Sequence, residues 1–156
     1  MIDELKNIEY VLFDLDGTVS DSSEGITKSA DKALKSEGIN VPFETLTSFI
    51  GPALRVSFGR YTDDMEKRDR MLDVYRERYS EKGWCENKIY PGMAELLRDL
   101  QKSGKHVVLA SAKPEYFCRK IIKYFGVEQY FDFIGGSDME GKRDDKTVLL
   151  TYVLDN

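Results

Sequence analysis

One short stretch constrains the fold of this chain more than any other feature. The apolar run Tyr10–Phe13 leads directly into Asp14–Thr18, which reads Asp-Leu-Asp-Gly-Thr. An apolar run without alternation predicts a strand over residues 9–14 that is buried on both faces, as in the middle of a parallel sheet. Open α/β sheets bind their ligands at the carboxyl ends of such strands. The stretch therefore predicts an α/β fold with its chemistry at that edge.

The composition excludes several classes of protein. The 156 residues are enough for one core, or for one core and a small satellite. The net charge of −5 comes without any basic block and argues against a nucleic-acid partner. No apolar run approaches the roughly 20 residues of a membrane span. The two cysteines, Cys85 and Cys118, are too few for a disulfide framework, and the acidic N-terminus lacks a signal peptide's apolar core. These features favour a reducing cytoplasm.

Strand and helix patterns alternate from Tyr90 onward, which predicts βαβ units and a parallel sheet. The predicted strands are Val107–Ala110 and Tyr130–Ile134, and the predicted helices are Met93–Lys102, one from Pro114 to Gly126, and Lys146–Leu154. From Ser22 to Glu81 the patterns are helical throughout. The chain is therefore predicted to have a discontinuous α/β core, residues 1–20 and 87–156, and an inserted helical cap, residues 21–86.

Asp14 and Asp16 stand two residues apart at the end of the predicted strand, so that both carboxylates can reach one site. There Asp14 would attack phosphorus and form an aspartyl-phosphate. Asp16 would protonate the leaving oxygen and then deprotonate the attacking water. Gly17 would let backbone amides meet the phosphate, and magnesium held by Asp14 would neutralise charge. The alternative is that the Asp-Gly pair marks only a turn.

The segment Asp14–Thr18 resembles the first motif of the haloacid dehalogenase superfamily of phosphatases. Most of the chain resembles the branch of phosphoglycolate phosphatases and 5′-nucleotidase-like enzymes. Weaker matches occur in the family's order at Asp21-Ser22, Phe49–Pro52, Tyr90–Met93, Ser111–Pro114 and Gly135–Ser137. The resemblance implies a Rossmann-like parallel sheet core and a magnesium-dependent phosphomonoester hydrolase. Its substrate would be a small phosphorylated metabolite, either phosphoglycolate-like or a nucleoside monophosphate.

The resemblance also implies roles for single residues. Ser111 would hydrogen-bond the transferring phosphoryl group, and Lys146 would steady the charge on the nucleophile and phosphate, with Lys142 as its competitor. Arg55 in the cap and Lys113 beside Ser111 are candidates for contact with a substrate anion, although a solvated arginine is at least as common on a helix. The carboxylate of Asp14 and the backbone carbonyl of Asp16 would bind Mg²⁺. The full set of phosphate-binding candidates is Gly17, Thr18, Ser111, Ala112 and Lys146.

Two other patterns are rejected. Gly136–Lys142 has the spacing of a P-loop and follows a predicted strand, but Arg143 comes next, where magnesium needs a hydroxyl. Asp138 and Glu140 also lie where phosphates would approach. His106 is the only histidine, and no partner in the sequence marks it as a triad base or a metal ligand.

The family continues beyond a helix like Lys146–Leu154 into another strand and a Gly-Asp-x-x-x-Asp segment, whose acids complete the magnesium site. This sequence ends at Asn156. The resemblance therefore implies an incomplete core in which the first strand has an exposed apolar edge that invites self-association. The alternative to an active phosphatase is a catalytically impaired remnant that binds phosphate or a partner protein.

Overall fold

The computed structural model describes residues 7–138, 140, 142–143 and 145–156. Residues 1–6, and Met139 and Gly141 of the rejected P-loop pattern, lie outside the described residues. The chain divides into two compact units. One contains the residues up to Val19 together with Ile89–Asn156, and the other is Ser20–Lys88. The strands are β1 Tyr10–Phe13, β2 Ser20–Asp21, β3 Lys88–Ile89, β4 His106–Pro114 and β5 Phe133–Ser137. The helices are α1 Ser23–Ser36, α2 Phe43–Leu46, α3 Leu54–Gly59, α4 Met65–Arg78, α5 Met93–Lys102, α6 Glu115–Tyr124 and α7 Lys146–Leu154.

A three-stranded parallel sheet in the order β1–β4–β5 organises the first unit. In its register Phe13 lies beside Leu109, and Leu109 lies beside Ile134. Helix α7 packs its buried Leu149 and Val153 on the sheet against Val108. The predicted fold class, a parallel sheet with helices, is confirmed.

Strand β1 lies at the edge of this sheet, and the prediction that it is buried on both faces is wrong. Tyr10 is 56% exposed and Leu12 is 38% exposed. Among the described residues only β4 pairs with β1, so the other side of the strand has no neighbour to cover it. Both side chains line an open groove of about 600 Å³ together with Val108, Phe133 and Val153. The exposed apolar edge that the resemblance implied is therefore present.

Strand β5 begins three residues after the predicted Tyr130. Tyr130 itself ends a short 3₁₀ helix and donates its N–H to the Val127 carbonyl over 3.0 Å. Gly135 and Gly136 lie within the strand and do not end it. Glycine suits both positions because their neighbours leave no room for a side chain. A Cβ on Gly135 would overlap Val153, and one on Gly136 would lie 2.5 Å from the Cα of Glu115.

The second unit contains α1 to α4, and a π-helix, Tyr79–Gly83, continues α4. Gly25 of α1 lies so close to Gly83 that a Cβ would overlap the Gly83 carbonyl oxygen. Stacked rings of Tyr75 and Tyr79 contribute to the buried core of this unit. The sequence did not predict the small sheet that pairs β2 with β3. Within the described part of the chain, no helix combines the length and apolarity needed to cross a membrane.

Candidate active site

The carboxyl ends of the parallel strands bring the first predicted residues to one edge of the sheet. Asp14 follows the last residue of β1 directly. Ser111 lies in β4 two residues beyond Leu109, the register partner of Phe13. Parallel neighbours progress along the sheet together, so that Asp14 and Ser111 emerge from adjacent strands at similar heights. This edge is where open α/β sheets place their chemistry.

A tight turn after β1 holds the two aspartates. The Leu15 carbonyl accepts hydrogen bonds from the N–H groups of Thr18, at 3.3 Å, and Val19, at 3.0 Å. Gly17 within the turn has a φ of +77°, a left-handed conformation that glycine adopts without strain. Leu15 and Val19 are fully buried and anchor the turn. The carboxylate of Asp14 accepts the Leu15 N–H over 2.8 Å, which fixes one of its oxygens.

Lys146 faces the other carboxylate oxygen of Asp14. Its Nζ lies 3.4 Å from Asp14 Oδ2, and the two side chains are 55% and 31% exposed. Lys146 is the first residue of α7, which Asp145 caps by accepting the N–H groups of Thr147 and Val148. Of the two lysines considered from the sequence, the structure places Lys146 beside the nucleophile candidate.

Lys142, the competing lysine, is engaged elsewhere. Its Nζ lies 2.5 Å from Glu140 Oε2, and both side chains are largely exposed. Nothing in the described residues brings Lys142 to Asp14 in place of Lys146.

Lys113 turns towards Asp16. Its Nζ lies 3.1 Å from Asp16 Oδ2, and the two side chains are only 6% and 8% exposed. The second oxygen, Asp16 Oδ1, is buried and has no hydrogen-bond partner among the described residues. The sequence interpretation treated Lys113 as a contact for a substrate anion, whereas the structure engages it in a buried ion pair.

Ser111 and its surroundings are closely packed. Ser111 is 1% exposed, and its Oγ accepts the N–H of Lys113 over 3.2 Å. The thiol of Cys118 donates to the Lys113 carbonyl over 3.4 Å. Burial raises the pKa of Cys118 to about 12, which keeps the thiol protonated. Cys118 is therefore a packing residue and not a nucleophile or a metal ligand.

Arg143 organises the segment that leads into α7, and sequence reasoning used it only to reject a P-loop. Its Nε donates to the Gly136 carbonyl over 3.2 Å, and its guanidinium lies 4.1 Å from the centre of the Tyr152 ring. Its Nη2 is also 3.8 Å from Glu115 Oε2. No sequence pattern could have identified this role, because its partners come from β5, α6 and α7.

Two further residues have partners that the sequence did not reveal. Arg55, in the second unit, donates to Asp69 over 3.1 Å and is 41% exposed in its side chain. His106 stacks on Tyr10 with ring centroids 4.8 Å apart, and its Nδ1 is 3.4 Å from Asp132 Oδ2. Neither contact supplies a serine nucleophile or a metal site, so the interpretation that His106 is not a triad base or a metal ligand stays a prediction. Because His106 begins β4, it lies at the amino end of the strands, whereas Asp14 lies at their carboxyl end.

The candidate site offers a hard cation only a few oxygen ligands from the protein. The residues described contain no group of three or more His, Cys, Asp and Glu side chains that could hold a metal ion. Magnesium commonly binds through one or two carboxylates and completes its coordination with water and substrate phosphate. The Asp14 carboxylate and the Asp16 carbonyl fit that pattern of sparse protein ligands.

The family model for haloacid dehalogenase-like hydrolases matches residues 11–155 of the chain. This chain belongs to the haloacid dehalogenase-like hydrolase family. The resemblance predicted from Asp14–Thr18 and the weaker segments is thus confirmed. Relatives named phosphoglycolate phosphatase, at 25–33% identity, agree with the predicted branch.

Individual relatives are similar to the chain over most of its length. It is 38% identical over 148 residues to a 5′-nucleotidase of Pseudomonas aeruginosa, covering 94% of this chain and 67% of the relative. It is 36% identical over 147 residues to the tyrosine-protein kinase PtkA of Mycobacterium tuberculosis, covering 94% of this chain and 50% of the relative. A structure described as a predicted phosphatase from Clostridium acetobutylicum has a TM-score of 0.91 and 41% identity, covering 95% of this chain and 69% of that one. The haloacid dehalogenase-like chain thus spans half to about two thirds of the length of these relatives.

Proposed function

We propose that this haloacid dehalogenase-like hydrolase cleaves phosphate monoesters through an aspartyl-phosphate on Asp14. The observation that carries the proposal is the 3.4 Å approach of Lys146 Nζ to Asp14 Oδ2 at the carboxyl edge of the sheet. A carboxylate that attacks an anionic phosphoryl group needs positive charge beside it, and Lys146 provides that charge. The phosphatase and nucleotidase names among the relatives support the same reaction class.

The proposed reaction has two steps that share one acid–base residue. In the first, a carboxylate oxygen of Asp14 bonds to phosphorus while the bond from phosphorus to the ester oxygen breaks. Asp16 gives its proton to that ester oxygen, which leaves as an alcohol. In the second step, the oxygen of a water molecule bonds to phosphorus while the bond from phosphorus to the Asp14 oxygen breaks, and the water loses a proton to Asp16. Phosphate leaves, and both aspartates return to their starting protonation states.

The surrounding residues bind and orient the phosphoryl group in this proposal. The amides of the turn containing Gly17 and Thr18, and those near Ala112, would donate hydrogen bonds to phosphate oxygens. The Ser111 hydroxyl and Lys146 would hold the same group from β4 and α7. Mg²⁺, when bound by the Asp14 carboxylate and the Asp16 carbonyl, supplies further neutralisation of phosphate charge.

The proposed substrate is a small phosphorylated metabolite, phosphoglycolate-like or a nucleoside monophosphate. This choice rests on the names of the relatives. The described contact of Arg55 is with Asp69 and does not distinguish between substrates. A panel of phosphoglycolate, nucleoside monophosphates and sugar phosphates would separate these classes by kcat/KM. Relatives named tyrosine-protein kinase PtkA are also similar to the chain, so a tyrosine-containing peptide mixed with one of these phosphate esters as donor tests an alternative phosphoryl acceptor.

The test is magnesium-dependent phosphate release from 4-nitrophenyl phosphate. Asp14→Asn removes the nucleophilic oxygen charge and is expected to abolish turnover. Asp99→Asn is the matched control, because Asp99 is an exposed carboxylate of the same unit that pairs with its neighbour Arg98. A wild-type rate retained in Asp14→Asn would refute the proposed nucleophile.

The same assay addresses the alternative function. A chain that binds inorganic phosphate but releases none from any ester, with or without Mg²⁺, would be a phosphate-binding remnant. Turnover that depends on Asp14 excludes that alternative.

A further inference from the structure

The buried ion pair between Lys113 and Asp16 carries an inference that deepens the proposed function and rests on it. We infer that Lys113 is a positioning residue for Asp16. Its ammonium holds Oδ2, so that Oδ1 is the oxygen that exchanges the proton with the ester oxygen and then with water. Lys113 acts through Asp16 and makes no contact with substrate in this assignment.

The first support is the difference between the two oxygens of Asp16. Oδ2 lies 3.1 Å from Lys113 Nζ, whereas Oδ1 is buried without a hydrogen-bond partner in the described structure. A buried carboxylate oxygen left without a hydrogen bond is costly, and a catalytic role or a bound water or ion is among the explanations for such an atom. The unbonded Oδ1 is therefore the atom of Asp16 that is left for a reacting group.

The second support is that the backbone of Lys113 is held on both sides. Its N–H donates to Ser111 Oγ over 3.2 Å, and its carbonyl accepts from the thiol of Cys118 over 3.4 Å. Gly136 also lies close, because a Cβ there would be 2.6 Å from the Lys113 carbonyl oxygen. A lysine fixed at its backbone and buried in its side chain can fix its partner in turn, which is what proton transfer at a defined atom requires.

The third support is the contrast with the exposed lysine of the same site. Lys146 is 55% exposed beside Asp14, which leaves it open to an incoming phosphate. The side chain of Lys113 is 6% exposed and faces a carboxylate that is 8% exposed. Lys113 therefore has the environment of a supporting residue, while Lys146 has that of a ligand-binding residue.

The kinetic test replaces Lys113 by Met, which keeps most of the side-chain length and removes the charge. The expected result is a fall in kcat of about tenfold to a hundredfold, part of the contribution typical of a positioned acid–base group. KM for 4-nitrophenyl phosphate should stay within about twofold, because substrate binding does not use Lys113. Lys113→Arg keeps the charge and should recover part of kcat. An increase in KM with unchanged kcat would overturn the inference and make Lys113 a substrate contact.

The control and the second measurement keep the test independent of turnover. Lys35→Met removes a lysine from an exposed pair with Asp31, with Nζ 2.7 Å from Oδ2, and should leave kcat and KM unchanged. Urea unfolding followed by circular dichroism needs no substrate. Lys113→Met should lower the midpoint because it leaves the Asp16 carboxylate buried without its counter-charge, and adding Asp16→Asn should restore part of it.

The two measurements separate the two possible failures. If the wild-type protein shows no turnover, the proposed function is contradicted. The difference between the unfolding midpoints of the single and double variants still measures the interaction of Lys113 with Asp16. Midpoint shifts that simply add in the double variant would overturn the inference whatever the activity.

Discussion

At the scale of single residues, the proposed charge stabilisation depends on which lysine stands beside Asp14. Lys146 is 3.4 Å from its carboxylate and exposed, so that the pair contributes little to folding but leaves the ammonium available to a phosphoryl group. In the proposed mechanism, Lys146 therefore contributes to the reaction and little to the stability of the fold.

Replacing Lys146 by Met is expected to reduce kcat/KM for 4-nitrophenyl phosphate by about a hundredfold, the effect typical of losing one charge-stabilising donor. The free energy of unfolding should change by less than about 1 kcal/mol, because an exposed ion pair contributes no more. Lys142→Met, which removes the competing lysine, should leave kcat/KM near that of the wild type. The opposite ranking of the two variants would assign the role to Lys142.

The sequence indicated residues of the candidate site more readily than it indicated their contacts. Asp14 and Asp16 stand out because an apolar strand runs into two carboxylates and a glycine, a local pattern. Lys146 could be proposed only from a resemblance and a helix start. The pair of Lys113 and Asp16 was not predictable, because the two residues are far apart in sequence and the direction of a long side chain depends on tertiary packing.

At the scale of elements, an ion pair in the helical unit joins the end of α4 to the segment that follows the π-helix. Arg78 at the end of α4 binds Glu86 through two hydrogen bonds, of 2.8 and 3.1 Å, and both side chains are mostly buried. The Glu86 carbonyl also accepts the N–H of Gly25 at the start of α1 over 3.2 Å. The hydrogen bond from Arg78 holds the pKa of Glu86 below its ordinary 4.5.

This pair predicts a pH dependence of stability. Because the pKa of Glu86 is lower in the folded than in the unfolded chain, its stabilisation is present above about pH 4.5 and is lost as the pH falls through the folded value. Glu86→Gln should lower the free energy of unfolding by about 1–2 kcal/mol near neutral pH. The free energy of unfolding of this variant should also decrease less than that of the wild type as the pH falls. Urea unfolding followed through Trp84, the only tryptophan, reports on this unit.

Glu44→Gln, at an exposed position of α2, is the matched control and should leave both the stability and its pH dependence near those of the wild type. Equal acid sensitivity of wild type and Glu86→Gln would contradict the role of the pair.

Element boundaries were predictable where local chemistry fixes them. Lys146–Leu154 follows an aspartate that caps it, and Met93–Lys102 ends before the glycine at position 104, so that both helices agree with the sequence prediction. Strand β5 was misplaced because Gly135 and Gly136 resemble a turn. Only the close approach of Val153 and Glu115 shows why glycines belong inside a strand there.

At the scale of the whole molecule, the open edge of β1 is the main unsatisfied feature among the described residues. The backbone carbonyl of Glu9 accepts the His106 N–H over 2.8 Å. In a parallel strand, alternate residues form hydrogen bonds with the same neighbouring strand. Tyr10 and Leu12 therefore direct their backbone groups to the open side, and their side chains are partly exposed. We propose that a second copy of this chain covers this edge.

An antiparallel pairing of two β1 strands centred on Val11 would satisfy both copies. Tyr10 of each copy would exchange hydrogen bonds with Leu12 of the other, and no like charges would stand opposite each other. Light scattering at increasing protein concentration should show a mass that rises towards the dimer. Leu12→Lys, which adds a charge to the edge, should keep the chain monomeric.

Leu96→Lys is the control for this prediction, because Leu96 is similarly exposed, at 45%, on α5. It should associate like the wild type. A monomeric wild type at all concentrations, or equal behaviour of both variants, would rule out the proposed interface.

The proposed function requires that a phosphoryl group is transferred to Asp14. The most direct measurement is peptide mass spectrometry of the chain after mixing with 4-nitrophenyl phosphate and Mg²⁺ and rapid quenching in acid. The proposed mechanism predicts one added phosphoryl group on the peptide that contains Asp14, and none in Asp14→Asn. A phosphoryl group on Ser111 or another residue, or phosphate release that continues in Asp14→Asn, would contradict it.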